Sequence, residues 1–130
     1  MSFQEPNIGG ALRSLPYLET IERYQKVFAQ MCEKLEPSIG EITLKSILAN
    51  MLDFAGEEHE CFQHVEHDGT TVDFFSLQGT HVPELQEATL KALEFFFEEF
   101  IQLIGDLTSG FYTDEFRQLA EKLLRDGDET

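Results

Sequence analysis

The chain predicts a mainly α (α+β) domain in which four principal helices carry a short antiparallel β-hairpin between the second and the third. Three observations carry this expectation. Apolar residues recur at steps of three and four over four separate stretches, twelve phenylalanines supply material for a core, and Asp68-Gly69 marks a tight turn between two short alternating segments. At 130 residues the chain is about one domain long, and a folded chain of that size buries roughly two-thirds of the surface its unfolded form exposes. A core of this kind needs neither disulfide nor metal to hold it.

Residues 1–13 are rich in glycine, proline and polar groups and are expected to form a flexible arm, with the ordered domain spanning 14–125 and a frayed tail at 126–130. In the first helix Leu18, Ile21, Tyr24, Val27, Phe28, Met31 and Leu35 share one face. It is expected to stop before Glu36-Pro37, because proline disfavours helical geometry in the residue before it. Ser38-Ile39-Gly40-Glu41 fits a capping box at the start of the second helix, in which serine and glutamate each satisfy a free backbone N–H. Ile42, Ile47, Leu48, Met51, Leu52 and Ala55 then form its apolar face, and Gly56 is placed to end it.

Folding the chain about Asp68-Gly69 pairs Val65 with Val72, His64 with Asp73 and Phe62 with Phe75, which predicts strands over 61–67 and 70–77. A lone hairpin is marginal in water, so it must lie on the helices or meet a second copy. Pro83 suits the first turn of the third helix, expected to run to about Ile104, where Glu84, Glu87, Lys91, Glu94, Glu98 and Gln102 form a narrow polar stripe. Phe95 falls beside that stripe, away from the main apolar face. After a loop over 105–112, Thr113 is expected to cap a final helix with Phe116, Leu119, Ala120, Leu123 and Leu124 inward.

Charge excludes some functions. Nine basic residues against 25 acidic ones give a formal net charge of −16, which repels nucleic-acid phosphates and anionic membranes. Between Ser46 and Phe116 the sole basic residue is Lys91, among 15 carboxylates, so a charged protein partner should be basic. Cys32 and Cys61 are too few for a disulfide framework and sit in no CxxC arrangement, the start of the chain does not read as a signal peptide, and no apolar stretch approaches a membrane span. A cytoplasmic location with free, inert thiols is expected.

Potential metal ligands crowd together in the segment holding His59, Glu60, Cys61, His64 and His67. On a continuous helix Glu60, His64 and His67 would share one face, and a transition metal or haem could be held with His81 as a further ligand. A hairpin breaks this geometry by turning His64 and His67 to opposite faces. The better reading is a solvated polar segment. No glycine-rich phosphate cradle, nucleophile elbow, HExxH or EF-hand loop occurs, and no cofactor or catalytic set is expected. The run Phe95, Phe96, Phe97 with Phe100, together with Phe62 and Phe75, is read as core that also offers an interface or apolar pocket. These features predict a regulatory or sensory interaction module, self-associating as a homodimer and binding a protein partner or small effector. The competing expectation is a metal- or haem-binding sensor, and an acidic hydrolase is the third.

Overall fold

A computed structural model describes the backbone of residues 4–129 and the side chains of residues 17–122. Four helices and one two-stranded antiparallel hairpin make up the fold, in the order α1 (Gln4–Ile39), α2 (Glu41–Glu58), β1 (Glu66–His67), β2 (Val72–Asp73), α3 (Pro83–Leu107) and α4 (Thr113–Glu129). Short 3₁₀ turns at Glu60–Phe62 and Phe75–Gly79 flank the hairpin. The mainly α class with a hairpin between the second and third helices is therefore as expected.

The long α1 is the axis of the molecule and packs against the other three helices, β2 and the second 3₁₀ turn. Its backbone is helical from Gln4, well before the expected start near Ser14. Pro6 fits there because the first N–H groups of a helix have no partner in any case. At the other end α1 runs through Pro37, where a break had been expected, and stops at Ile39. A proline this near the end removes only one late hydrogen bond. Gly40, at φ 91°, makes the corner: its N–H donates to Glu36 O (2.9 Å) and its carbonyl accepts from Leu44 N (3.0 Å), so one residue closes α1 and opens α2. Other residues rarely adopt that φ.

The expected capping box is not formed. Ser38 belongs to the last turn of α1, and its hydroxyl shares a hydrogen bond with the Tyr112 hydroxyl at the start of α4. In α2, Leu44, Ile47, Leu48, Leu52 and Ala55 are buried, whereas Ile42 is 81% exposed. The helix also continues past Gly56 to Glu58, and the His59 N–H donates to Ala55 O at 2.7 Å.

The hairpin differs from expectation in register. Glu66 pairs with Asp73 and His67 with Val72, around a four-residue turn rather than a two-residue one. The physical reason is the Asp68 side chain, whose Oδ1 accepts from Thr70 N (2.8 Å), Thr70 Oγ1 (2.7 Å) and Thr71 N (3.0 Å) and so gathers both threonines into the loop. These bonds, the Thr70 hydroxyl foremost, hold the Asp68 carboxyl below its usual value. His64 consequently does not face Asp73, and Phe62 does not face Phe75. The slip is by two residues, which preserves the faces: Val72 and Phe74 point inward and are buried, while Asp73 and Phe75 point outward.

So small a ladder is fastened by α1. The Gln25 side-chain amide donates from Nε2 to Val72 O (2.8 Å), and its Oε1 accepts from Phe74 N (2.6 Å), taking the place of a neighbouring strand. The Tyr17 hydroxyl donates to Leu77 O at 2.7 Å, extending the attachment into the following turn. Inside, the Phe28 ring has its centroid 5.5 Å from that of Phe74, 5.6 Å from Phe96, 5.4 Å from Phe97 and 4.6 Å from Phe100.

On α3 one stripe is buried, comprising Thr89, Ala92, Leu93, Phe96, Phe97, Phe100, Ile101 and Ile104, and every member of the expected polar stripe is exposed. The helix includes Gly105 and ends at Leu107 rather than Ile104. A Cβ on Gly105 would stand 2.7 Å from Thr113 Oγ1, so glycine lets α4 start close against α3. Thr113 is the first residue of α4 and not its cap: the carbonyl of Tyr112 accepts from Phe116 N (2.9 Å). Two exposed ion pairs link the helices, Lys34 with Glu115 (2.9 Å) and Arg117 with Glu98 (2.8 Å), each contributing about 0–1 kcal/mol. The α4 backbone is helical to Glu129.

Two substitutions test this account. Gly69 lies at φ 93°, so Gly69→Val should destabilise the domain by about 1–3 kcal/mol, and a denaturant midpoint equal to the parent's is the result that counts against the turn. Gln25→Leu leaves Val72 O and Phe74 N–H without partners, at about 1–3 kcal/mol for each. Hydrogen exchange at the Phe74 amide should accelerate; unchanged protection would show that Gln25 does not hold β2.

Candidate functional site

The outward side of α2 carries Asn50, Met51, Phe54, Ala55 and Glu58, whose spacing of three and four places them along one face. Opposite them α3 presents Phe95, Phe96 and Glu99, and His59 closes one end where the chain leaves α2. Together they line an open groove of about 280 Å³. Ala55 and Phe96 are buried beneath it. Phe54 and Phe95 are 51% and 50% exposed. Among the described residues nothing covers the outer halves of these two rings.

His59 has an unusual position in this groove. Its extended backbone (φ −134°, ψ 117°) terminates α2, and its ring lies between Phe62 and Phe95, with centroids 6.2 Å and 5.8 Å away. The Nε2 atom is buried and has no hydrogen-bond partner among the described residues. A buried polar atom left unpaired costs about 1–3 kcal/mol. The charged groups lining the groove are Glu58 and Glu99, and α2 has no basic residue in its last turn to offset the negative end of its dipole.

The sequence-predicted site residues are dispersed. Phe62, Phe96, Phe97 and Phe100 are core residues, of which Phe96 alone reaches the groove. Phe75 is half exposed in the second 3₁₀ turn and does not line the groove. Phe95 is where its wheel position put it, beside the polar stripe and open to solvent.

No protein-family model, curated protein or solved structure matches the chain.

The histidine-rich segment is neither a continuous helix nor one strand. Glu60 lies in a 3₁₀ turn, His64 in the turn that follows, His67 on β1 and His81 before α3, and His67 Nδ1 accepts from Gly69 N at 3.1 Å. Among the described residues no group of three or more His, Cys, Asp or Glu side chains is placed to hold a metal ion. Among the described residues, too, no helix is long and apolar enough to cross a membrane. Burial pushes the Cys32 thiol up to about 12 and raises that of Cys61, which disfavours the thiolate at both. A second depression of about 200 Å³, between α3 and α4 beside Tyr24, is lined by Glu98 and Arg117, which already pair with each other.

Sequence reasoning missed Phe54 altogether and did not separate His59 from its neighbours. Phe54 had a signal: it stands two positions after the buried Leu52, about 200° around the helix at 100° per residue, so it cannot share that residue's face. The unpaired Nε2 had none, because it depends on how α2 ends.

With that nitrogen unpaired, His59→Phe should leave thermal stability equal to the parent or up to about 1 kcal/mol higher. A loss of more than about 1 kcal/mol would show that the imidazole is held by bonds the ring alone does not provide.

Proposed function

We propose that this chain is a binding module that takes an apolar helical segment of a protein partner into the groove between α2 and α3, in a regulatory or sensory role. The observation that carries this reading is the pair of half-exposed rings, Phe54 and Phe95, facing one concave apolar surface from two helices. Large apolar side chains that flank a groove with a packed floor are what an amphipathic partner helix uses as its anchor points. The α2 side of the groove, from Asn50 to Glu58, extends about 12 Å at 1.5 Å per residue, which matches about two helical turns of an occupant.

A small apolar effector is less well served. Ligand pockets typically bury about 70–90% of their ligand and place several polar groups to orient it. Here both Phe rings stand open on one side, and the polar atoms of the lining are mainly carboxylates at its edges. Self-association through this groove would juxtapose Glu58 and Glu99 of each copy with those of the other, and like charges across an interface oppose pairing. A protein segment of different sequence is thus favoured over a homodimer.

The test uses a synthetic amphipathic peptide with leucines at helical spacing and one tryptophan. The chain has no Trp, so the emission observed belongs to the peptide alone. Phe95→Glu should weaken binding at least tenfold, equal to about 1.4 kcal/mol, while changing the melting temperature little. Equal affinity for parent and variant would remove the groove as the docking site. Light scattering distinguishes the other occupant: a dimeric mass that Phe95→Glu converts to a monomer would assign the groove to a second copy.

A further inference from the structure

We infer that the partner segment is cationic, an amphipathic helix bearing lysine or arginine at the borders of its apolar face, with one basic side chain reaching Glu58 on the α2 wall and another reaching Glu99 on the α3 wall. This rests on the docking reading above and specifies the chemistry that selects the partner. The two carboxylates stand on opposite walls of one apolar groove, so a helix lying between them presents a flank to each. Asn50 and His59 complete the polar edge, and among the described residues no lysine or arginine lines it. Glu58 and Glu99 are both exposed, and neither takes part in an ion pair or hydrogen bond among the described residues.

The surroundings strengthen the same sign. Glu57 and Glu60 flank the end of α2, the helix dipole adds its negative pole there, and Lys91 is the sole basic residue between Ser46 and Phe116. A field of one sign over an apolar groove steers a segment of the opposite sign and penalises an acidic one, so charge provides selection where apolar contact alone discriminates little. The long stems of lysine and arginine lie along apolar surface while their charged ends reach outward. That geometry lets them cover the exposed outer halves of Phe54 and Phe95.

The experiment compares two peptides with the same leucine and tryptophan face, one carrying lysine and the other glutamate at the flanking positions, titrated into the intact chain and followed by tryptophan emission. The lysine peptide should bind roughly three- to tenfold tighter for the two exposed pairs, and the difference should narrow as salt is raised. In the double variant Glu58→Gln with Glu99→Gln the ratio of lysine-peptide to glutamate-peptide affinity should fall to less than about half its parental value, and a third, uncharged peptide titrated into the parent measures the apolar docking by itself. Equal affinities for the lysine and glutamate peptides, or a preference that survives the double variant, would overturn the inference and leave the apolar docking site standing. Failure of all three peptides to bind the folded parent would overturn the docking reading as well. Single variants at Glu57 and Glu60, which border the groove without lining it, should reduce the preference less than either Gln variant; a larger effect from them would mean that Glu58 and Glu99 do not select the partner.

Discussion

The fold depends on how Phe28 is enclosed. This ring sits at the middle of α1, fully buried, and the rings around it come from two places far apart in the chain: Phe74 just beyond β2, and Phe96, Phe97 and Phe100 on α3. Phe62 joins the cluster from the 3₁₀ turn before β1, with its centroid 5.2 Å from that of Phe96. Edge-on and tilted aromatic contacts contribute about 0.5–1.5 kcal/mol each beyond the area they bury. The hairpin therefore serves as a device for delivering two rings to the core. Two residue pairs of ladder are too few to be stable alone, and what fixes them is the burial of Phe62, Val72 and Phe74 together with the Gln25 amide. Gln25 and Phe28 lie one helical turn apart on α1, so the same stretch of helix that receives the rings also binds the backbone that carries them.

Electrostatics follows from this enclosure. With carboxylates far outnumbering cations, the helices keep their polar stripes in water, and the core contains almost no polar side chain, Thr89 being the buried exception among the described residues. Several of the cations are engaged in links: Arg23 pairs with Glu19 within α1, Lys34 joins α1 to α4, and Arg117 joins α4 to α3. All of these lie on α1 and α4. The two lysines of α2 and α3, Lys45 and Lys91, do not line the groove between these helices. Carboxylates without an ion pair among the described residues and half-exposed aromatic rings thus meet at this groove.

Much of this was legible before any coordinates, and the reasons are physical. The buried faces of α1 and α3 follow helical periodicity, a signal repeated over many residues and therefore robust. Boundaries were harder, because each turns on a single local competition. Ser38 has the right neighbours for a capping box, but Gly40 adopts a left-handed φ that closes α1 two residues later and frees the Ser38 hydroxyl for Tyr112. Asp68-Gly69 correctly marked the turn, yet the Asp68 carboxylate recruits Thr70 and Thr71 and lengthens the loop. The groove was half legible. Phe95 was placed by its angle on the helix, whereas Phe54 and the unpaired His59 nitrogen belong to the meeting of two helices and the place where one of them ends, which no single-helix pattern encodes.

Three consecutive phenylalanines on a helix span 200° at 100° per residue, so a single-sided core cannot take all of them. Phe96 and Phe97 flank the direction in which the core lies, and Phe95 is thereby carried outward. The fold places no demand for an aromatic ring at that position, where a glutamate would continue the polar stripe beside Glu94 and leave the buried face unaltered. The same holds for Phe54, which is directed away from the face formed by Leu44, Leu48 and Leu52. Each ring therefore gives only about half of its surface to the fold, and each on its own would be an ordinary exposed side chain. What distinguishes them is convergence: two half-exposed rings on separate helices line one groove, over a floor of buried Ala55 and Phe96 and beside a ring nitrogen that lacks a partner. Among the described residues such a surface leaves apolar area uncovered between two helices, and the proposed docking of a partner segment rests on that convergence.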